Sequence, residues 1–106
     1  MTIAFRPLSE VKMILEEAGT DISYTYDDLV FVDHTAYLIQ FDDLNKENLN
    51  LYFNIDLNEL DARSLGKKLK MLVEKHHKTL TPAGKFSLKQ KDGSEEIDIS
   101  FFPLAN

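Results

Sequence analysis

The segment LNLYFNI, residues 49–55, constrains the fold of this chain more than any other stretch. Its apolar and polar side chains alternate strictly, with Leu49, Leu51, Phe53 and Ile55 on one face and Asn50, Tyr52 and Asn54 on the other. Such alternation is typical of a strand with one buried and one solvated face, as in an antiparallel sheet. The chain must therefore supply further strands and a layer that covers the apolar face.

The other elements follow from the same periodicities. The predicted elements, in chain order, are a helix at 8–18, strands at 22–26, 29–33 and 35–41, a helix at 59–79, and a hairpin at 84–104 that turns at Asp92-Gly93. The first two strands are either separate or one strand continued through a bulge. We therefore predict an α+β fold over residues 1–106: a single antiparallel sheet of about five strands with two helices, in the order α-β-β-β-α-β-β.

Length and composition restrict the class of protein. A chain of 106 residues with 43% hydrophobic residues is large enough for one core and fits a single domain. The absence of cysteine excludes disulfides and thiol chemistry. We find no signal-peptide pattern at the N-terminus and no apolar run of about 18 residues, so we expect a cytoplasmic protein without a membrane partner.

The charge distribution is uneven. The chain carries a net charge of −6, which argues against a nucleic-acid partner. Residues 21–61 hold ten acidic residues against Lys46 alone, whereas residues 63–78 hold six cations against Glu74. Two interpretations stay open at this point: the two regions are solvated faces that complement each other within the fold, or they form a surface that selects a charged partner.

Two adjacent histidines, His76 and His77, close the second predicted helix. On a helical wheel His76 falls within the apolar stripe of Leu65, Leu69 and Leu72, and His77 lies about 100° away at its edge. Side chains that diverge by this angle cannot ligate one metal ion together, unlike histidines four positions apart. We interpret His76 as a half-buried residue that packs on the core or a partner, and His77 as a cation at the negative helix end.

No residue pattern in the chain supports a catalytic or metal site. His34 follows Asp33 in a predicted turn, but no serine or cysteine motif accompanies the pair. The stretch from Asp43 begins like a calcium loop, yet it has Asn48 and Asn54 where that loop needs glycine and glutamate. We therefore expect no cofactor, no metal and no enzymatic activity.

Apolar side chains on predicted outward faces indicate a binding surface instead. Tyr52 lies on the solvated face of its strand, Met71 lies among lysines on the second helix, and Phe102 lies opposite Phe101. Single exposed apolar residues are common, but several together mark an interface. We predict a protein interface that contains Tyr52, Met71, His76 and Phe102.

The run from Leu51 to Leu104 resembles the corresponding region of type III secretion chaperones and their secretion-chaperone-like relatives. The shared features are an alternating strand at Leu49–Ile55, a long helix at Leu57–Leu80 and a Gly-led hairpin at Gly84–Leu104. The resemblance lies in element order and hydrophobic spacing. It implies a small acidic homodimer that holds an extended segment of another polypeptide without ATP, with the second helix or the neighbouring sheet as dimer interface.

Two alternatives remain beside this chaperone-like binding module. The first is an immunity protein whose acidic sheet masks a basic toxin nuclease, through Asp27, Asp28, Asp42 and Asp43. The second, which ranks last, is a metal-dependent or hydrolytic enzyme that uses His34, His76 or His77 with nearby carboxylates.

Overall fold

The computed structural model describes residues 7–90, 92–93 and 97–104. Its elements, in chain order, are α1 (Leu8–Glu17), β1 (Ile22–Tyr26), β2 (Leu29–Val32), a 3₁₀ turn (Asp33–Thr35), β3 (Tyr37–Phe41), β4 (Asn48–Asn54), α2 (Glu59–Lys75), β5 (Thr79–Gln90) and β6 (Ile97–Pro103). Asp92-Gly93 form a turn, as predicted. Residues 91 and 94–96 of that hairpin lie outside the described residues, as do residues 1–6, for which the sequence predicts no signal peptide.

The α+β class, with two helices and a single sheet, is confirmed, but the sheet differs from the prediction in two respects. It has six described strands rather than about five, because β1 and β2 are separate antiparallel strands. The strands lie side by side in chain order from β1 to β6. Asp27 makes the turn between them with a φ of +53°, a conformation that aspartate tolerates better than most residues. The sheet is also mixed, because β4 pairs with β5 in parallel.

The parallel pair follows from a single helix between two strands. α2 leaves the Asn54 end of β4 and runs back along the sheet, so β5 begins beside the start of β4, where Thr79 pairs with Asn48. One helical crossover brings the next strand into parallel register. The antiparallel sheet predicted from the alternation in β4 is therefore wrong at this one pair.

The main core lies between the helices and one face of the sheet, which we call the helix face. It contains Val11, Ile14 and Leu15 of α1, Leu69 and Val73 of α2, and sheet residues that include Leu49 and Leu51. These strand residues are the odd positions of the alternating segment, so the predicted buried face is confirmed. Ile55, predicted to continue that face, lies beyond β4 and is exposed.

The opposite face of the sheet carries a second apolar cluster rather than a solvated surface. Leu29, Phe31, Leu38 and Phe86 are buried there, and Tyr52, Leu88 and Ile99 pack against them. A bulge supplies Phe86 to this face: Pro82 pairs with Leu51 and Gly84 with Tyr52, so Ala83 is the extra residue. Leu80 before the bulge therefore faces the helices, and Phe86 after it faces away.

Both helices end in the same hydrogen-bonded motif. In α1 the N–H of Gly19 donates to Glu16 O at 3.0 Å and that of Thr20 to Leu15 O at 3.0 Å; in α2 His77 donates to Glu74 O at 2.9 Å and Lys78 to Val73 O at 3.1 Å. This is the Schellman arrangement, which requires a left-handed residue just past the helix. Gly19 (φ +81°) and His77 (φ +62°) fill that position. α2 thus ends at Lys75, short of the predicted residue 79, and Leu80 belongs to β5.

Buried polar side chains connect α1 to the rest of the fold. Thr20 donates from Oγ1 to Leu15 O at 2.9 Å, which leaves the Tyr37 hydroxyl to donate to Thr20 at 2.8 Å. Burial raises the pKa of Tyr37 well above its ordinary value, so this donor stays protonated. Lys78, whose side chain is 5% exposed, extends to Glu10 Oε2 at 3.4 Å and to Glu47 Oε2 at 3.8 Å.

We predict that His77→Gly stabilises the protein by about 0.5–1 kcal/mol, because a glycine adopts the left-handed conformation without the steric cost that a side chain carries. Gly19→Ala is the matched opposite: it should lower the free energy of unfolding by about 1 kcal/mol, since only φ is unfavourable there and an added Cβ meets nothing closer than Lys68 Nζ at 3.9 Å. Urea denaturation measures both. A destabilised His77→Gly variant would contradict this account of the α2 terminus.

Candidate functional site

A groove of about 430 Å³ opens between the N-terminal half of α2 and the helix face of β4 and β5. Its floor is apolar and is formed by Leu51 and Phe53 of β4 and by Leu80 and Pro82 of β5. Leu104, just after β6, closes one side. Its size is in the range of small-ligand pockets.

The groove exists because α2 packs on the core mainly through its second half. The buried residues of this helix are Leu69 and Val73, whereas Leu60 in the first turn is 73% exposed. Asn58 fixes the start of the helix, where its Oδ1 accepts the N–H of Leu60 at 2.8 Å. The first half of α2 is thereby a well-formed helix that covers the sheet incompletely.

Gly66 lies in the middle of α2 and lines the groove beside Phe53. A Cβ at this position would be 3.6 Å from the Phe53 ring, which is an ordinary van der Waals contact, so packing does not require glycine. Glycine inside a helix costs about 1 kcal/mol relative to alanine. The missing side chain therefore lowers helix stability and leaves space in the groove.

Cations form the rim of the groove. Arg63, Lys67 and Lys70 lie on one side of α2, and Lys85 lies on β5. Glu59 is the one carboxylate among the described lining residues, and it pairs with Arg63 at 3.6 Å. The groove thus combines an apolar floor with a positive rim on a chain whose net charge is −6.

The structure does not bring the four predicted interface residues together. Tyr52 is half-buried on the face away from the helices, with its ring centroid 4.7 Å from that of Phe101. Phe102 follows Phe101 in a regular strand and so lies on the helix face, opposite the groove residue Lys85 in the register. It is 50% exposed, while Met71 on α2 is 66% exposed and lies outside the groove lining. Of the four, Phe102 is the residue beside the groove.

His76, the fourth predicted interface residue, links the two helices. Its Nε2 donates to Glu17 Oε1 on α1 at 3.0 Å, and Lys75 Nζ donates to Glu17 Oε2 at 3.4 Å. These hydrogen bonds hold the pKa of Glu17 below its usual value of 4.5, the His76 bond having the larger effect. The ring of His76 is thus engaged within the fold.

The three histidines do not converge on one site. His76 and His77 lie where β5 begins, at the Asn48 end of β4. His34 lies in the 3₁₀ turn before β3, at the other end of the sheet, where it donates its N–H to Ser23 Oγ at 2.6 Å. The length of β4 separates the two ends by about 20 Å. No group of three or more histidine, aspartate and glutamate side chains suited to a metal occurs within the described ranges.

Four acidic residues near the strands gather at one end of the sheet, whereas Asp33 and Asp56 lie at the other end, beside Asn54. The β1–β2 turn with Asp27 and Asp28 lies beside the β3–β4 loop with Asp42 and Asp43, since Phe41 donates its N–H to Asp28 O at 2.8 Å. Several of these carboxylates have structural roles: Asp28 accepts from Gln40 at 3.0 Å, and Asp42 accepts the N–H of Leu44 at 3.0 Å. This end of the sheet lies opposite the Asn54 end of β4, from which α2 starts.

The groove was not among the sites predicted from the sequence. The one signal of the groove in the sequence was Gly66, a glycine inside a helical pattern that is followed by Lys67 and Lys70. The contribution of Leu104 and Lys85 depends on how β5 and β6 pair, which residue spacing does not reveal.

Neither helix among the described residues has the length and apolar character needed to cross a bilayer. Comparisons of the chain with protein-family models, curated proteins and solved structures find no match.

We predict that Glu17→Gln lowers stability at neutral pH and has less effect at pH 3. A carboxylate with a lowered pKa stabilises the fold above its unfolded-state pKa, and that contribution disappears as the pH falls through the folded-state value. Urea denaturation at the two pH values measures the difference. The neighbouring exposed Glu16→Gln is the control and should change little at either pH; equal effects of the two substitutions would contradict the helix link.

Proposed function

We propose that this chain is a non-catalytic protein-binding module that holds a segment of another polypeptide in the groove between α2 and the sheet. The observation that carries the proposal is the open groove of about 430 Å³ with an apolar floor and a cationic rim. Apolar side chains of a bound segment would be buried against Leu51, Phe53 and Pro82, and burial of apolar area supplies the driving force of such association.

The chemistry of the lining favours binding over catalysis. The described lining residues include no histidine, and their one carboxylate, Glu59, is paired with Arg63. Acid–base catalysis, or activation of a nucleophile, usually needs a histidine or carboxylate within reach of a second reactive group. The groove is accordingly a recognition surface in this proposal.

The proposal keeps the secretion-chaperone-like character that the resemblance implies, including a homodimer. β6 is an edge strand whose Ile97, Phe101 and Phe102 are 57%, 36% and 50% exposed. An apolar edge of this kind is a template for pairing with another strand. It offers a surface for dimerisation at the β6 edge, next to the side of the groove that Leu104 closes.

A second candidate function is an immunity protein that masks a basic toxin. The acidic end formed by Asp27, Asp28, Asp42 and Asp43 favours it. Association through this end would be fast and would weaken strongly with salt.

The first test is affinity capture of the full chain from its native host at endogenous expression, with partners identified by mass spectrometry. We expect one stoichiometric protein partner. Ala62→Phe should abolish its recovery, because the larger side chain fills the groove, whereas the size-matched Ala62→Ser should retain it. Thermal unfolding confirms that both variants are folded.

Other outcomes of the same capture separate the candidates. A basic nuclease that is retained by Ala62→Phe and released by salt would establish the immunity function instead. Met71→Ala and Phe102→Ala test the exposed residues predicted from sequence. Tyr52→Ala does not serve this purpose, because it would open the second apolar cluster.

We predict that the purified chain has twice its 12.2 kDa mass in solution. Light scattering after size exclusion measures this directly. Phe101→Lys, which places a charge on the apolar edge strand, should shift the mass towards the monomer. A wild-type mass of one chain at all concentrations would contradict the dimer.

A further inference from the structure

We infer that the groove is specific for a segment in which acidic side chains flank apolar ones. This inference rests on the proposed function and adds the chemistry of the partner.

The cations stand on both sides of the apolar floor. Arg63, Lys67 and Lys70 are spaced at i, i+4 and i+7, so they share one side of α2. Lys85 faces them from β5, in register with Phe53 of the floor. A segment whose apolar residues rest on the floor would therefore have its flanking side chains within reach of positive groups on both walls.

The fold pairs two other cations of this region with carboxylates but leaves those of the groove available. Lys75 is bonded to Glu17, and Lys78 lies between Glu10 and Glu47. In contrast, no described carboxylate pairs with Lys67, Lys70 or Lys85. The Arg63–Glu59 pair is 71% and 76% exposed, and exposed pairs of this kind are weak.

The positive rim is opposite in sign to the net charge of the protein. At −6 overall, the chain repels an acidic partner at long range. Attraction at the groove then depends on short-range contacts with the rim cations, which fix the register and choice of partner more than they raise affinity. Charge complementarity at this site thus favours a partner whose carboxylates lie directly beside its apolar residues.

Synthetic peptides test the inference on the full chain. Three peptides share one apolar core, Leu-Ile-Phe-Leu, and differ in flanks of glutamate, serine or lysine. Fluorescence anisotropy should give a Kd for the glutamate peptide about tenfold below that of the serine peptide, with the lysine peptide weakest. Raising the salt from about 50 mM to about 500 mM should reduce this difference, because the rim is exposed.

Charge reversal supplies the decisive variant. Lys67→Glu with Lys70→Glu should invert the order of the three peptides. Lys68→Glu is the matched control, since Lys68 is an exposed lysine of the same helix outside the groove lining, so the order should persist. If the double charge reversal does not fold, Lys67→Gln with Lys70→Gln should remove the preference without inverting it.

The failures of the inference and of the proposed function are distinguishable. Equal binding of all three peptides, abolished by Ala62→Phe, would overturn the acidic preference and leave the groove as a polypeptide site. Binding that Ala62→Phe does not affect, or no binding of any peptide, would overturn both. Binding of dodecanoate in the absence of any peptide binding would assign the groove to a lipid. Self-association that the double charge reversal abolishes would assign the groove to a second copy of the chain. Either result would overturn the inference.

Discussion

The parallel pairing of β4 with β5 is the constraint on which the rest of the structure depends. It requires α2 to return along the sheet, and this path places Leu69 and Val73 over the core. α1 then packs beside the second half of α2, where Glu17 receives hydrogen bonds from Lys75 and His76. β5 and β6 extend past the region that α2 covers. The helix cover and the groove are therefore two results of one crossover.

α2 divides into two halves with different physical roles. Its second half is buried against the core, pairs Lys75 with Glu17 of α1, and ends in a complete Schellman motif at His77. Its first half is capped by Asn58 but contributes no buried residue to the core, and its cations lie along the groove. The basic residues within 63–78 are thus neither wholly a self-complementary face nor wholly a partner surface. The boundary between the groove cations and the paired cations lies near Lys70.

Features that depend on neighbouring residues in the chain were predicted from the sequence, whereas features that depend on contacts between distant segments were not. Local periodicity was sufficient for α1 and for the buried face of β4, and the Asp-Gly dipeptide was sufficient for the turn at Asp92-Gly93. The end of α2 was placed too late, because a left-handed histidine takes the role for which glycine is the usual signal. The side of Phe86 depended on the bulge at Ala83, and the groove depended on the partners of β5. Residue spacing along one segment contains neither piece of information, so Tyr52 was assigned to a solvated face.

The order of the strands in the sheet equals their order in the chain. Each of the first four strands can accordingly pair with its predecessor as soon as it has been synthesised, without waiting for a distant segment. Their apolar side would emerge from the ribosome accompanied by α1 alone, because α2 is made only after β4 is complete. A nascent chain that pauses between Asn54 and Lys75 would therefore expose Leu49 and Leu51, which makes this interval the period of greatest aggregation risk during synthesis.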